Sequence, residues 1–139
     1  MMRVKSPAKI NLFLHITGRK PDGYHNLLSL MCGVSLFDDI LLAPASRPGI
    51  SIRCDHTAVP EDKTNLAYRA AELFFNHLGR QPFFPGAGDA EGLVIAIKKH
   101  IPVAAGLGGG SSNAASVLTA LNRICDHPFS SASLDRMGL

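Results

Sequence analysis

Between residues 10 and 16, Ile10, Leu12, Leu14 and Ile16 alternate with Asn11, Phe13 and His15, the period-two pattern of a half-buried β-strand. Pro21, Asp22 and Gly23 interrupt it with turn chemistry. The apolar and β-branched run LLSLMCGVSLFDDILLA (27–43) then predicts one long strand or a bent pair, and ISIRC (50–54) a further alternating strand. From 65 to 78 the period lengthens: Leu66, Ala70, Leu73, Phe74 and Leu78 fall on one face of a helix that Thr64 or Asn65 can cap and Gly79 can end. QPFFPGAGDAEG (81–92) is a Pro/Gly-rich connection before the apolar strand LVIAI. The last pattern, Ala114, Val117, Leu118, Leu121 and Ile124, predicts a second amphipathic helix, directly after PVAAGLGGGSSNAA (102–115). With no internal repeat, low-complexity tract or composition break, the chain reads as one domain.

Composition narrows the function classes. At 139 residues, 46% hydrophobic and 18% charged, the chain has the make-up of one soluble globular domain. Its net charge of +3 comes from scattered lysines and arginines, without the basic run or aromatic interleaving of a nucleic-acid tract. No apolar run reaches the roughly 18 residues of a membrane span, and the N-terminus lacks signal-peptide order, so a cytoplasmic location is expected. Cys32, Cys54 and Cys125 form no CxxC pair or zinc-type cluster, and read as buried thiols in a reducing compartment.

The glycines of residues 106–110 stand immediately before a predicted helix N-terminus, where backbone N–H groups lack intrahelical partners and the helix dipole is positive. Glycine permits positive φ and close approach of a ligand to the amides, while Ser111, Ser112 and Asn113 can cap the helix or bond to phosphate. The sequence describes a phosphate cradle, and a plain Gly/Ser turn is its bland alternative. Two familiar cradles are excluded. No Lys follows Gly110, as a Walker loop requires, and Ser111 stands where the third glycine of a dinucleotide fingerprint belongs.

SPAKINLFL (6–14), GRKPDGYHNL (18–27) and GLGGGSS (106–112) together resemble the N-terminal half of the GHMP-type small-molecule kinases. The likeness runs from Lys5 to Leu139, with an irregular stretch at 81–92. It implies an α+β domain similar to the second domain of ribosomal protein S5, with helices packed on one side of a mixed sheet. It also implies ATP-dependent phosphorylation of a small alcohol. The GYH triplet narrows the substrate to a cytidine diphosphate-linked methylerythritol of non-mevalonate isoprenoid synthesis. Another GHMP small-alcohol kinase, or a truncated nucleotide-binding fragment without catalysis, is the alternative.

Residue by residue, the resemblance puts Lys9 beside the substrate hydroxyl and the transferring phosphate, where an ammonium counters developing charge. Asn11 lies on the same strand face, and Tyr24 and His25 hold the cytosine. Gly106, Gly108, Gly109, Gly110, Ser111 and Ser112 form the ATP phosphate loop, with Ser111 a Mg²⁺ contact, and Asn65 and Lys99 lie near the adenine and ribose. The resemblance further implies that a general-base aspartate and a second, C-terminal domain lie beyond residue 139. A chain lacking them is expected to turn over weakly or not at all, and to self-associate through surface that the second domain covers. No membrane or nucleic-acid partner is expected.

Overall fold

The computed structural model describes residues 1–21, 23–88 and 91–138. Asp22 of the predicted turn, and Asp89 and Ala90 of the Pro/Gly connection, lie outside the described residues, as does Leu139. Four strands and three helices follow in the order β1 (Met2–Arg19), β2 (His25–Ala45), β3 (Gly49–Cys54), α1 (Leu66–Leu78), β4 (Gly92–Lys98), α2 (Gly109–Ile124) and α3 (Ser131–Met137). The sheet order is β1-β2-β4-β3, antiparallel except for the parallel pair β3–β4. It is therefore the mixed sheet of an α+β domain. No helix among the described residues is long and apolar enough to cross a membrane.

Strand parity decides which side chains meet the helices, because alternate residues face opposite ways. Ile40 and Leu42 of β2, Ile52 of β3 and Leu93, Ile95 and Ile97 of β4 are buried in one core with Ala71, Phe74 and Phe75 of α1 and Val117 and Leu121 of α2. Leu41, Ala43, Val94 and Ala96 occupy the intervening positions and are only half-buried. Phe74, fully buried, meets Phe75 and Phe129 edge to face at centroid distances of 5.6 and 5.2 Å.

The caps follow the sequence at α1. Asn65 Oδ1 accepts from Ala67 N at 2.9 Å, and Gly79 closes the helix at φ 67°. At α2 they do not. Its N-cap is Gly108, no side chain caps it, and Ser111 and Ser112 sit inside the first turn. α3 has only seven residues, too few for a periodic signal to stand out.

β1 and β2 outrun the rest of the sheet. β4 pairs with β2 only from Asp39 to Ala45, so residues 8–19 and 25–34 form a two-stranded arm with register shifts at Pro7/Ala8, Asn11/Phe13 and Ile16/Gly18. The alternation at 10–16 predicts one buried face. Instead Leu12, Phe13, Leu14 and Ile16 are 49–61% exposed, because no helix or strand among the described residues covers either side of the arm at these positions. The thiols also depart from expectation: Cys32 on the arm is exposed, and Cys54 and Cys125 are half-buried.

Candidate active site

The loop of residues 102–108 joins the end of β4 to α2, and it bends through three left-handed residues, Ala104 (φ 60°), Gly106 (φ 74°) and Gly108 (φ 70°). A left-handed residue costs a non-glycine about 1–2 kcal/mol, so glycine suits two of the three, and Ala104 carries strain that its surroundings must hold. The loop delivers the first turn of α2 bare: no side-chain cap and no acidic residue. Its leading N–H groups thus face a cleft of about 380 Å³. Val59, Pro60, Leu66 and Ile97 give this cleft an apolar end; Gly106 to Ser111 give it a polar one.

Lys9 lies against that polar end. Its backbone N–H donates to Leu107 O at 2.9 Å, tying β1 to the loop across the chain. Its stem runs so close that a Cβ on Gly108 would stand 3.0 Å from Lys9 Cγ and 3.2 Å from Cε. The Lys9 ammonium bonds Asn11 Oδ1 at 3.4 Å, as period-two parity predicts for a shared face, and Ser29 Oγ donates to the same oxygen at 3.4 Å. A second tie fixes the helix: Ser6 Oγ donates to Ser112 Oγ at 2.8 Å. The N-terminal strand thereby gathers Lys9, Asn11, the glycines, Ser111 and Ser112 in one place.

Tyr24 and His25 are not brought there. The ladder runs from Lys9↔Gly33 to Arg19↔His25, ten residues or up to about 33 Å of strand at 3.3 Å per residue. The pair stands exposed at the far end of the arm.

Asn65 lines the cleft, yet its side chain is engaged at both ends, accepting from Ala67 N and donating from Nδ2 to Pro60 O at 2.8 Å. The cleft wall it supports is what it offers a ligand. Lys99 also lines the cleft, but its ammonium is almost fully buried in an ion pair with Asp38. Strand parity distinguishes it from Lys98: Leu93, Ile95, Ile97 and Lys99 share the inward face, and Lys98 points out to solvent.

Asp38 is the residue the sequence reading missed. Fully buried, its Oδ1 accepts from the N–H of His100 at 2.8 Å and of Ile101 at 2.9 Å, while Oδ2 takes the Lys99 ammonium. Burial pushes this carboxyl up, but the bonds from Lys99, Ile101, His100 and Asn113 together outweigh it and hold it below its ordinary 3.8. A signal was present. Asp38, Ile40 and Leu42 have one parity, so an acid stands in line with two core residues.

Among the described residues no three His, Cys, Asp or Glu side chains cluster as a metal site, and no acidic side chain lines the cleft. Mg²⁺ is ordinarily held by one or two carboxylates with phosphate oxygens. The exposed hydroxyl of Ser111 alone does not fit a protein-held Mg²⁺.

A bare helix N-terminus behind a glycine loop, with a lysine stem lying on it, is the arrangement a phosphate cradle in an α+β domain requires. The family described as GHMP kinases N terminal domain matches residues 65–139, and the chain belongs to it. It is similar to the 4-diphosphocytidyl-2-C-methyl-D-erythritol kinase of Nostoc sp. (strain PCC 7120), with 44% identity over 134 residues, 96% of this chain and 40% of that one. The enzyme of the same name from Syntrophus aciditrophicus is 41% identical over 138 residues, 99% of this chain and 46% of that one. The chain thus spans less than half the length of these curated relatives. A crystal structure of 4-(cytidine 5'-diphospho)-2C-methyl-D-erythritol kinase superposes with a TM-score of 0.71 at 36% identity, covering 99% of this chain and 46% of that chain. Homoserine kinase from Cytophaga hutchinsonii reaches the same TM-score of 0.71 at 17% identity, over 98% of this chain and 39% of that one, a likeness of fold alone.

Proposed function

We propose that this chain is the N-terminal, nucleotide-binding part of an enzyme that transfers a phosphoryl group from ATP to the 2-hydroxyl of 4-diphosphocytidyl-2-C-methyl-D-erythritol. The observation that carries the reading is the Lys9 stem lying on Gly108 while its N–H bonds Leu107 O. That contact unites the lysine of the PAKINL segment with the glycine loop. The names of relatives 41–48% identical to this chain supply the substrate.

The chemistry asked of these residues is positioning and charge. The amides of Gly109, Gly110 and Ser111 cradle the ATP phosphates at the positive end of α2. The apolar end of the cleft takes the base, with Asn65 as its structural wall. Lys9 supplies an ammonium where negative charge develops on the transferring group, and Asn11 orients that ammonium. Tyr24 offers an aromatic face and His25 a donor and an acceptor for cytosine, brought within range of Lys9 by bending of the arm. The described cleft residues offer no carboxylate to Mg²⁺, which would come with ATP and offset phosphate charge.

Among the described residues no acid lines the cleft to take the hydroxyl proton, so the chain alone is expected to bind nucleotide without efficient turnover. The base belongs to a C-terminal domain that completes the site. The exposed apolar side chains of the arm support self-association of the isolated chain, and a cytoplasmic location is part of the same reading. The test is ADP formation by the purified chain with ATP, Mg²⁺ and 4-diphosphocytidyl-2-C-methyl-D-erythritol, beside Lys9→Ala. Turnover that survives in Lys9→Ala removes Lys9 from the site. In parallel, Tyr24→Ala should weaken cytidine diphosphate binding and spare ATP; equal losses refute the cytosine assignment.

A further inference from the structure

Asp38 joins parts of the cleft floor that are far apart in sequence. Its Oδ1 receives the two N–H groups of His100 and Ile101, the last residues before the glycine loop. Asn113, one turn into α2, is buried and helps to hold the same carboxylate's pKa down, and its Oδ1 has no partner among the described residues. On the other side the carboxylate holds the Lys99 ammonium, which passes directly under the first turn of α2: a Cβ on Gly109 would stand 3.0 Å from Lys99 Nζ. Glycine at 109 is what lets the cation sit there.

We infer that Asp38 is a positioning residue of the phosphate loop, holding the loop's entry, the first turn of α2 and the Lys99 ammonium as one unit. The inference rests on the reading of the loop as a nucleotide-phosphate site, and it moves Lys99 from the base end of the nucleotide to the phosphate end. The ammonium fixed beneath Gly109, its charge partly offset by the carboxylate it pairs with, adds to the partial positive charge of the helix terminus. Its burial lowers solvent screening at the place where the phosphates lie. A free lysine at the cleft rim would first lose side-chain entropy to reach the same position; the carboxylate has already fixed this one.

Asp38→Asn keeps an oxygen for the two N–H groups but turns an NH₂ donor on the ammonium. Binding is read by NMR titration with two separate probes, inorganic tripolyphosphate and adenosine, well below each protein's melting temperature. The expected result is tripolyphosphate affinity weakened at least tenfold with adenosine affinity within twofold of wild type. A merely structural role would weaken both together, and loss of adenosine alone would return Lys99 to the base end; either result overturns the inference. Unchanged or tighter tripolyphosphate binding does so as well. Should Asp38→Asn fail to fold, Lys99→Gln keeps a donor for the carboxylate while removing the charge, and the same selective tenfold loss is expected. A wild-type chain that binds neither probe overturns the nucleotide reading and this inference with it. A wild type that binds tripolyphosphate beside variants that bind it equally overturns this inference alone.

Discussion

Gly108→Ala separates the two reasons for a glycine at the helix entrance. At φ 70° any L side chain is strained, which costs about 1–2 kcal/mol of folding stability. The new methyl would also stand 3.0 and 3.2 Å from Lys9 Cγ and Cε. Those are atoms of a flexible stem that can give way by tenths of an ångström, so the contact adds little to the folding cost. It moves the ammonium and the loop apart. Gly79→Ala is the control: φ is 67° and nothing lies within 4 Å of its added Cβ. Both variants should lose about 1–2 kcal/mol in urea unfolding, or roughly 3–8 °C in melting temperature for a domain of this size. Only Gly108→Ala should lose ATP affinity, by tenfold or more in calorimetric titration. Equal ATP affinity in the two variants would refute the claim that the Lys9–Gly108 contact shapes the site, and would leave the loop as a turn.

Phe74→Ala removes a ring with no exposed surface that meets two other rings, and should cost about 3–5 kcal/mol in chemical unfolding. Cys32 is exposed, whereas burial pushes the Cys54 and Cys125 thiols up from their ordinary value; maleimide labelling followed by peptide mapping should find Cys32 modified first. Because the carboxyl of Asp38 is held below 3.8, its contribution to stability is fully present above its unfolded pKa. It is lost as pH falls through the lower folded value. Acid melts from pH 6 to 2 should therefore show a steeper loss in wild type than in Asp38→Asn, and parallel curves would contradict the ion pair's role.

The hydrophobic pattern made most of the fold legible. Period two at 50–54 and the apolar run 93–97 both became strands, and the Asn65 to Gly79 signals bound a helix at both ends. The arm was misread in its surroundings, not its conformation. Alternation reports that a face is apolar, but what covers it is a property of packing, and none of the described elements covers Leu12 or Leu14. At the site, glycine spacing and the Lys9–Asn11 parity could be read directly, because both are local. The choice between Lys98 and Lys99, and the place of Asp38, rest on a register 60 residues apart in the chain: Asp39 pairs with Lys98. Only that pairing brings two inward-facing, oppositely charged neighbours together.

The bond between Ser6 and Ser112 spans 106 positions, and that separation has a consequence for how the protein is made. At about 5–20 residues per second, translation delivers the helix end of the site some 5–20 s after the strand that must receive it. During that interval β1 can zip onto β2 from the Arg19↔His25 end, but its edge facing the loop stays unsatisfied. The arm is therefore the early product of synthesis and the junction of β1 with the glycine loop the late one. A nascent chain carrying its first hundred residues therefore has a strand edge with apolar side chains on both faces before the glycine loop and α2 exist to meet its base.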